Sequence, residues 1–268
     1  MRIGFIGCGR MAGAILNGCL QKGFIMPDNV FVYERDPERL SYIVNNWGVN
    51  ETANTDELLE SAHIVILGVK PQALPAILLN IGAKAARKHI LLVSIAAGKA
   101  INELEKMIGE KAPVMRVMPN LNAQIYEGVA AINANSMVTE NDKKYVIDMF
   151  RTVGAVYELP EELFPVFTAI AGCSPAFTFM YIDALARAAV RLGMNKRQAL
   201  EITAAAAAGS VKNLIQSNMH AWDLIDQVCS PGGTTIEGIS TLQAGRFEAV
   251  ISEAVQACVE KDKKLGVQ

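Results

Sequence analysis

Histidine is scarce in this chain. There are three in 268 residues, His63, His89 and His220, and none pairs at metal-ligand spacing. A structural or catalytic zinc site therefore lacks its usual ligands, and no metal is expected. The five cysteines, Cys8, Cys19, Cys173, Cys229 and Cys258, form no C-x-x-C pair. An odd number so scattered argues against a disulfide framework and for a reducing cytosol. Excess charge is also missing. Twenty-five basic residues face 27 acidic ones, a net charge of −2, so nothing favours a nucleic-acid partner. Apolar runs are too short, or too broken by glycine and charge, to span a bilayer. The opening apolar run from Met1 is not expected to be a signal peptide, because Gly4, Gly7, Gly9, Arg10 and Gly13 interrupt it. A soluble cytoplasmic protein is expected. No repeat or low-complexity segment occurs beyond Ala204–Ala208.

What is abundant is apolar surface. Hydrophobic residues make up 51% of the chain and charged residues only 19%, which predicts extensive burial. The length leaves room for one large or two small domains of ~150 residues.

The first half alternates short apolar runs with helical segments. Strands are predicted at 3–6, 30–33, 63–67, 90–93, 114–117, 129–132 and 153–157. Helices are predicted from Met11 to Lys22, after the Asp36-Pro37 start, and over 140–150 behind Thr139. Near-continuous apolar strands between helices imply an α/β fold with a parallel, doubly wound sheet. After the first strand stands Gly7-Cys8-Gly9-Arg10-Met11-Ala12, which matches the G-x-G-x-x-A dinucleotide fingerprint. Gly7 permits the tight turn, Gly9 lets a pyrophosphate approach, and Ala12 allows close helix–strand packing. Glu34 ends the next strand, 25 positions after Gly9 (34 minus 9), near the ~20 expected of the ribose-binding acid. Arg35, with Arg39, could instead hold the 2′-phosphate of NADP, or simply open a solvated helix. NADPH and NADH both stay open.

From Glu161 onward strand signals fade. Leu159-Pro160-Glu161-Glu162 has linker character, which sets a boundary between a dinucleotide-binding domain, 1–160, and a helical domain, 161–268. A long apolar helix runs from Pro175 to Leu192, and Asn195 with Gln198 has the capping-box pattern for the next. Helices this apolar cannot all face water, which points to an interwound homodimer. Near the end stands Cys229-Ser230-Pro231-Gly232-Gly233-Thr234-Thr235. Proline stops one helix, the glycines turn, and the threonines open another helix whose first amides have no intrahelical partner. Such an end attracts a small anion. An ordinary capped turn would carry the same residues.

Taken together, these parts resemble pyrroline-5-carboxylate reductases along nearly the whole chain. The likeness rests on Ile3–Ala12, Val69-Lys70-Pro71-Gln72, Ser94-Ile95-Ala96-Ala97-Gly98, Arg116-Val117-Met118-Pro119-Asn120 and, above all, Ser230–Thr235. The resemblance implies an N-terminal Rossmann-type domain followed by an all-helical dimerisation domain. It implies NAD(P)H-dependent reduction of a cyclic imine, L-1-pyrroline-5-carboxylate, to L-proline, with the site completed by a homodimer or a higher assembly of dimers. By position, Gly7, Cys8, Gly9, Arg10, Met11, Ala12, Arg35, Asn54, Val69, Lys70, Pro71, Ala96, Ala97 and Asn120 would line the cofactor, beside Glu34. Ser230, Gly233, Thr234 and Thr235 would hold the substrate, with Thr235 as the catalytic hydroxyl. Lys70 could equally be a strand-end lysine in solvent.

The chain departs from the family pattern at Leu121-Asn122, Ala171, Cys173 and Phe177, where threonine-proline, two serines and a tyrosine are usual. Two other readings follow. One is a dehydrogenase of the β-hydroxyacid type, for which Lys212-Asn213 is wrongly spaced. The other is a nucleotide-binding protein without catalysis.

Overall fold

The structure, a computed structural model, describes residues 1–266. The chain begins with β1 (Ile3–Ile6), α1 (Arg10–Gln21), β2 (Val30–Tyr33), α2 (Pro37–Trp47), β3 (Asn50–Glu51) and α3 (Thr55–Ser61). It continues through β4 (Ile64–Leu67), α4 (Leu74–Arg87), β5 (Leu91–Ser94), α5 (Ile101–Ile108) and β6 (Val114–Pro119). Next come β7 (Gly128–Ala134), α6 (Glu140–Arg151), β8 (Gly154–Glu158) and the short α7 (Phe164–Phe167). The helices α8 (Ser174–Arg191), α9 (Lys196–Ser217), α10 (Ala221–Val228), α11 (Thr234–Ala244) and α12 (Phe247–Gly266) follow.

The strands form one sheet in the order β3-β2-β1-β4-β5-β6-β7-β8. Pairing is parallel except between β6 and β7. The antiparallel pair has a simple cause. The connection Asn120–Glu127 is too short for a parallel crossover, which needs about a dozen residues or more. Side chains along each strand alternate between two buried layers. Phe5, Ile66, Val93 and Val117 pack with Ile15, Leu16, Val146 and Phe150 on one face. Ile6, Val65, Leu67 and Leu92 pack with Leu58, Leu78, Ile81 and Leu104 on the other. Burial on both faces is why these strands read as unbroken apolar runs.

Local chemistry sets the helix starts. Asp36 Oδ1 accepts from the Glu38 and Arg39 amides at 3.0 and 3.2 Å, with Pro37 in the first turn of α2. Thr139 Oγ1 accepts from Asp142 N at 3.1 Å to start α6. Asn195 Oδ1 does the same for α9, from Arg197 N at 3.0 Å.

The chain divides into two compact units. The first comprises residues 1–172 and resumes at Val259, within α12; the second is Cys173–Cys258. In the first unit, the buried Arg116 on β6 donates to Glu161 Oε1 at 2.9 Å, and that oxygen also accepts from Ile101 N at 2.8 Å. The Arg116 guanidinium lies 4.4 Å from the centre of the Phe164 ring. Val259 is buried in this unit, and burial pushes the Asp262 carboxyl up while Arg116 pulls it down. In the second unit α8 packs on α9, and Tyr181 meets Phe247 at a ring separation of 6.4 Å. This unit has almost no interior. Pro175, Ala186 and Ala199 are buried, whereas Met180, Leu192 and Ile215 are 76%, 89% and 72% exposed.

One finding differs from the expectation of broken apolar runs. Residues Glu161–Arg191 form a continuous helical stretch of 31 residues, long and apolar enough to cross a membrane. A π-turn at Thr168–Cys173 carries the helix past Gly172 into α8, and Pro175 falls in the first turn of α8, where its missing N–H costs little.

Phe150, 1% exposed between α6 and the sheet, anchors the larger core layer. Phe150→Ala should lower the unfolding free energy by about 3–5 kcal/mol, read by urea denaturation. A loss below about 1 kcal/mol would show that the layer relaxes around the gap.

Candidate active site

The strand order reverses at β1, whose neighbours are β2 on one side and β4 on the other. In open α/β sheets ligands bind at the carboxyl ends of strands flanking such a point. The turn Gly7–Gly9 sits there. Gly7 has φ +80°, and its N–H donates to Tyr33 O at 2.8 Å. A Cβ on Gly7 would stand 2.5 Å from Val69 Cγ1. A Cβ on Gly68, at the end of β4, would stand 2.3 Å from Gly7 O and 2.6 Å from Ala12 Cβ. So β4 closes against both the turn and the root of α1. Gly68 was not singled out from sequence, although a glycine directly at a strand end beside a second glycine turn is a readable signal.

Gly9 precedes α1 as its N-cap and offers no side-chain cap. A Cβ there would meet nothing within 4 Å, so the space in front of the first α1 amides is open. Gly9 and Arg10 are exposed, Met11 is half-buried and Ala12 is buried. An uncapped helix start with clear access fits the pyrophosphate of a dinucleotide.

Glu34 reaches back under this turn. Its Oε2 accepts from Cys8 N at 2.8 Å, and its Oε1 accepts from Arg35 N at 2.8 Å and Asp36 N at 3.2 Å. Arg39 braces the same turn from its carbonyl side. Nε donates to Cys8 O at 3.0 Å and Nη2 to Gly9 O at 3.4 Å. Arg35 is exposed.

The remaining first-unit candidates lie along the strand ends. Val69, Lys70 and Pro71 follow β4, with Val69 against the Gly7 turn and Lys70 exposed. After β5, the buried Ser94 Oγ accepts from Ala96 N at 3.3 Å, which leaves Ala96 buried and Ala97 exposed. Asn54 Oδ1 accepts from Glu57 N at 2.9 Å and caps α3. Asn120, 5% exposed, is held by structure: Oδ1 accepts from Val129 N at 3.0 Å, and Nδ2 donates to Ala171 O in the π-turn at 3.0 Å. Its amide ties the end of β6 to that turn.

In the second unit the turn Ser230–Gly233 opens α11. Gly232 has φ +66°, a conformation that favours glycine. Gly233 N donates to Ser230 O at 3.0 Å, and a Cβ on Gly233 would stand 2.3 Å from Ser230 Oγ. The serine hydroxyl thus lies against the glycine. Gly233 is the N-cap of α11 and supplies no side-chain acceptor. Thr234 and Thr235 occupy the first two helical positions, the former exposed and the latter half-buried. Two hydroxyl side chains and free amides at the positive end of a helix dipole suit a carboxylate.

Burial pushes the Cys8 thiol up to about 12, offset in part by Arg39 and reinforced by Glu34. Burial likewise raises Cys19 to about 11. Neither is a thiolate near neutral pH. A wide groove of about 610 Å³ lies at the opposite edge of the sheet, lined by Arg2, Glu60, His63 and His89. It adjoins the amino ends of β1, β4 and β5, away from the glycine turn. Among the described residues no cluster of histidine, cysteine or carboxylate could hold a metal ion.

Residues 161–265 match the family model for pyrroline-5-carboxylate reductase dimerisation. Residues 2–98 match that of coenzyme F420-dependent NADP oxidoreductases. The chain is 36% identical over 265 residues to a pyrroline-5-carboxylate reductase of Escherichia coli, covering 99% of this chain and 98% of that one. It is 34% identical to that of Methanosarcina acetivorans, with the same coverage. Among solved structures, the Coxiella burnetii pyrroline-5-carboxylate reductase superposes with a TM-score of 0.93 at 29% identity, over 98% of both chains. The Plasmodium falciparum pyrroline carboxylate reductase with NADP bound gives 0.88 at 31% identity, over 99% of this chain and 98% of that one.

The buried cysteines should resist alkylation. Native protein treated with iodoacetamide at pH 8 should keep Cys8 and Cys19 unmodified by mass spectrometry until denaturant is added. Native-state labelling of Cys8 at the rate of a free thiol would contradict the burial described.

Proposed function

The chain belongs to the pyrroline-5-carboxylate reductase family, and from that premise we propose how its own residues carry the NAD(P)H-dependent reduction of L-1-pyrroline-5-carboxylate to L-proline, the last step of proline biosynthesis. The observation that supports the assignment best is the open start of α11. There Gly233, Ser230, Thr234 and Thr235 bring hydroxyls and uncapped amides together at one helix start, with Glu237 the acid of its first turn.

The substrate is a cyclic imine bearing a carboxylate. The amides of Thr234 and Thr235, with the Ser230 hydroxyl, take the carboxylate. That orients the ring, and the Thr235 hydroxyl, able both to donate and to accept, meets the ring nitrogen. It positions the proton that the nitrogen must hold; a threonine hydroxyl is too weak an acid to supply it. A reduced nicotinamide held by the first unit would supply the hydride that the imine carbon accepts. On the first unit, the glycine turn and the start of α1 hold the pyrophosphate, with Val69, Pro71, Ala96 and Ala97 as apolar walls. Lys70 lies at the mouth of this region, exposed after β4. Asn54 and Asn120 stand with them, fixing α3 and the end of β6 beside the cofactor. Most of the rate comes from holding two carbons in near-attack geometry, a task for rigid walls rather than acids and bases.

The second unit supports assembly as a homodimer or an assembly of dimers. A helical layer that exposes Phe179, Met180, Leu192, Ile202, Ile215 and Val250 is not stable against water, and the dimerisation model covers it. The same pairing accounts for the membrane-length helix without a bilayer. A cytoplasmic location suits a soluble biosynthetic enzyme.

Purified protein should consume NADPH or NADH when given pyrroline-5-carboxylate, and a 3-hydroxy acid with the oxidised coenzyme should give no reaction. The reverse pattern would transfer the chain to hydroxyacid chemistry. Thr235→Ala should lower kcat/KM by roughly 10- to 100-fold with unchanged NADPH affinity, as loss of one polar contact worth ~1–3 kcal/mol predicts. Unaltered kinetics would remove Thr235 from the mechanism. In sedimentation equilibrium the mass should be an even multiple of the chain mass; a monomer at all concentrations would sink the assembly.

A further inference from the structure

Resting on the reading of the first unit as an NAD(P)H-binding module, we propose that Arg116 and Glu161 are positioning residues for the coenzyme, which together hold the turn between β5 and α5 in the shape that receives the nicotinamide half. That turn, Ile95–Ala100, carries Ala96 and Ala97. It leaves the carboxyl end of β5, which the sheet order places beyond β4, on the far side of β1 from β2. A dinucleotide lies across the carboxyl ends of such a sheet, with its adenosine ribose read after the second strand. The turn after β5 therefore meets the other half of the molecule.

The turn is pinned at both ends. At its start the buried Ser94 Oγ accepts from Ala96 N at 3.3 Å. At its end Glu103 Oε2 accepts from Ala100 N, and Glu161 Oε1 accepts from Ile101 N, both at 2.8 Å. Between these points Ala97 is exposed and Gly98 has φ +74°. Two amides that α5 cannot satisfy within itself are thus closed by carboxylates at the positive end of its dipole. Glu103 is local, three positions from Ala100. Glu161 comes from 60 positions beyond Ile101, so its placement bears directly on where α5 begins.

Arg116 fixes that placement. In the register of β5 and β6 it stands opposite Ser94, the last residue of β5, which puts it beside the root of the turn. Its guanidinium is buried, lies 4.4 Å from the centre of the Phe164 ring, and donates to the same Glu161 oxygen at 2.9 Å. One carboxylate oxygen therefore joins β6, the start of α5 and the start of the long helical stretch. A buried guanidinium stacked on a ring has little freedom, and Glu161 inherits that rigidity. The grip serves NADH and NADPH alike, because their nicotinamide halves are the same.

Isothermal titration of the full-length protein with NADPH, NADH and 2′,5′-ADP tests this without any cyclic imine. Glu161→Leu and Arg116→Met should weaken NADPH and NADH by one common factor of roughly 3- to 30-fold, the range of a lost helix cap. Binding of 2′,5′-ADP, which lacks the nicotinamide half, should stay as in the wild type. Glu161→Gln should restore most of the affinity, because a single oxygen accepts both bonds in the native protein. Ile101→Pro removes only the amide donor, at a helix position that tolerates proline, and leaves the Arg116–Glu161 pair in place. It should reproduce the common loss, whereas Ile101→Ala, which keeps the donor and trims the same side chain, should not. Circular dichroism establishes that each variant is folded, and the two Ile101 variants carry the test if Glu161→Leu and Arg116→Met are not. Folded variants that melt at lower temperature yet hold both dinucleotides as tightly as the wild type would overturn the proposal, as would an equal loss of 2′,5′-ADP. Wild-type protein that binds neither dinucleotide would sink the reading of the first unit instead.

Discussion

The rest of the first unit depends on how closely β1, β4 and α1 meet at one point. Gly7 and Gly68 stand where a methyl group on either would strike its neighbour, and the Ala12 methyl at the root of α1 is one of the atoms a Gly68 side chain would meet. Interiors pack at crystal-like density and absorb little added volume. Three small residues therefore let α1 approach β1 and β4 closely. The direction of its free amides follows from that position, and with it the place where a pyrophosphate can sit.

Two of the helix starts that carry no side-chain cap follow a glycine, and these two face the candidate ligand positions. Asp36, Asn54, Thr139 and Asn195 cap α2, α3, α6 and α9 with their own side chains. By contrast α1 and α11 each follow a glycine and take no side-chain cap. Orphan amides that the capped helices satisfy internally are left here open to a ligand. One of these ends lies in each unit. Chemistry that needs neither metal nor charged catalytic side chain on the substrate side is consistent with a chain so poor in histidine.

Much of this was legible in the sequence, because much of it is local. A strand, a glycine turn and a helix within ten residues specify the dinucleotide site, since each part is dictated by backbone sterics. Asp36-Pro37 and Thr139 likewise act on amides two or three positions away. Ser230–Thr235 was readable as an open helix start for the same reason. What sequence could not give are interactions that depend on tertiary approach. Glu34 meets Cys8 across 26 residues, and nothing local shows that its carboxylate turns inward rather than outward. Asn120 reads as a loop residue near a ligand, yet its partner Ala171 lies 51 positions away. The π-turn at Thr168–Cys173 hides because Gly172 and Pro175 look like breaks. The direction of β7 reverses only because the chain between β6 and β7 is short, a matter of reach rather than propensity.

The path of α12 has a temporal meaning. The helix begins in the second unit, but from Val259 onward it completes the interior of the first, where Asp262 faces the Arg116–Glu161 pair. On a ribosome, the sheet and its helices would emerge more than eighty residues before their last packing element. The nucleotide-binding half must wait, unfinished, until the whole second unit has been made, so its maturation is tied to faithful synthesis of everything between.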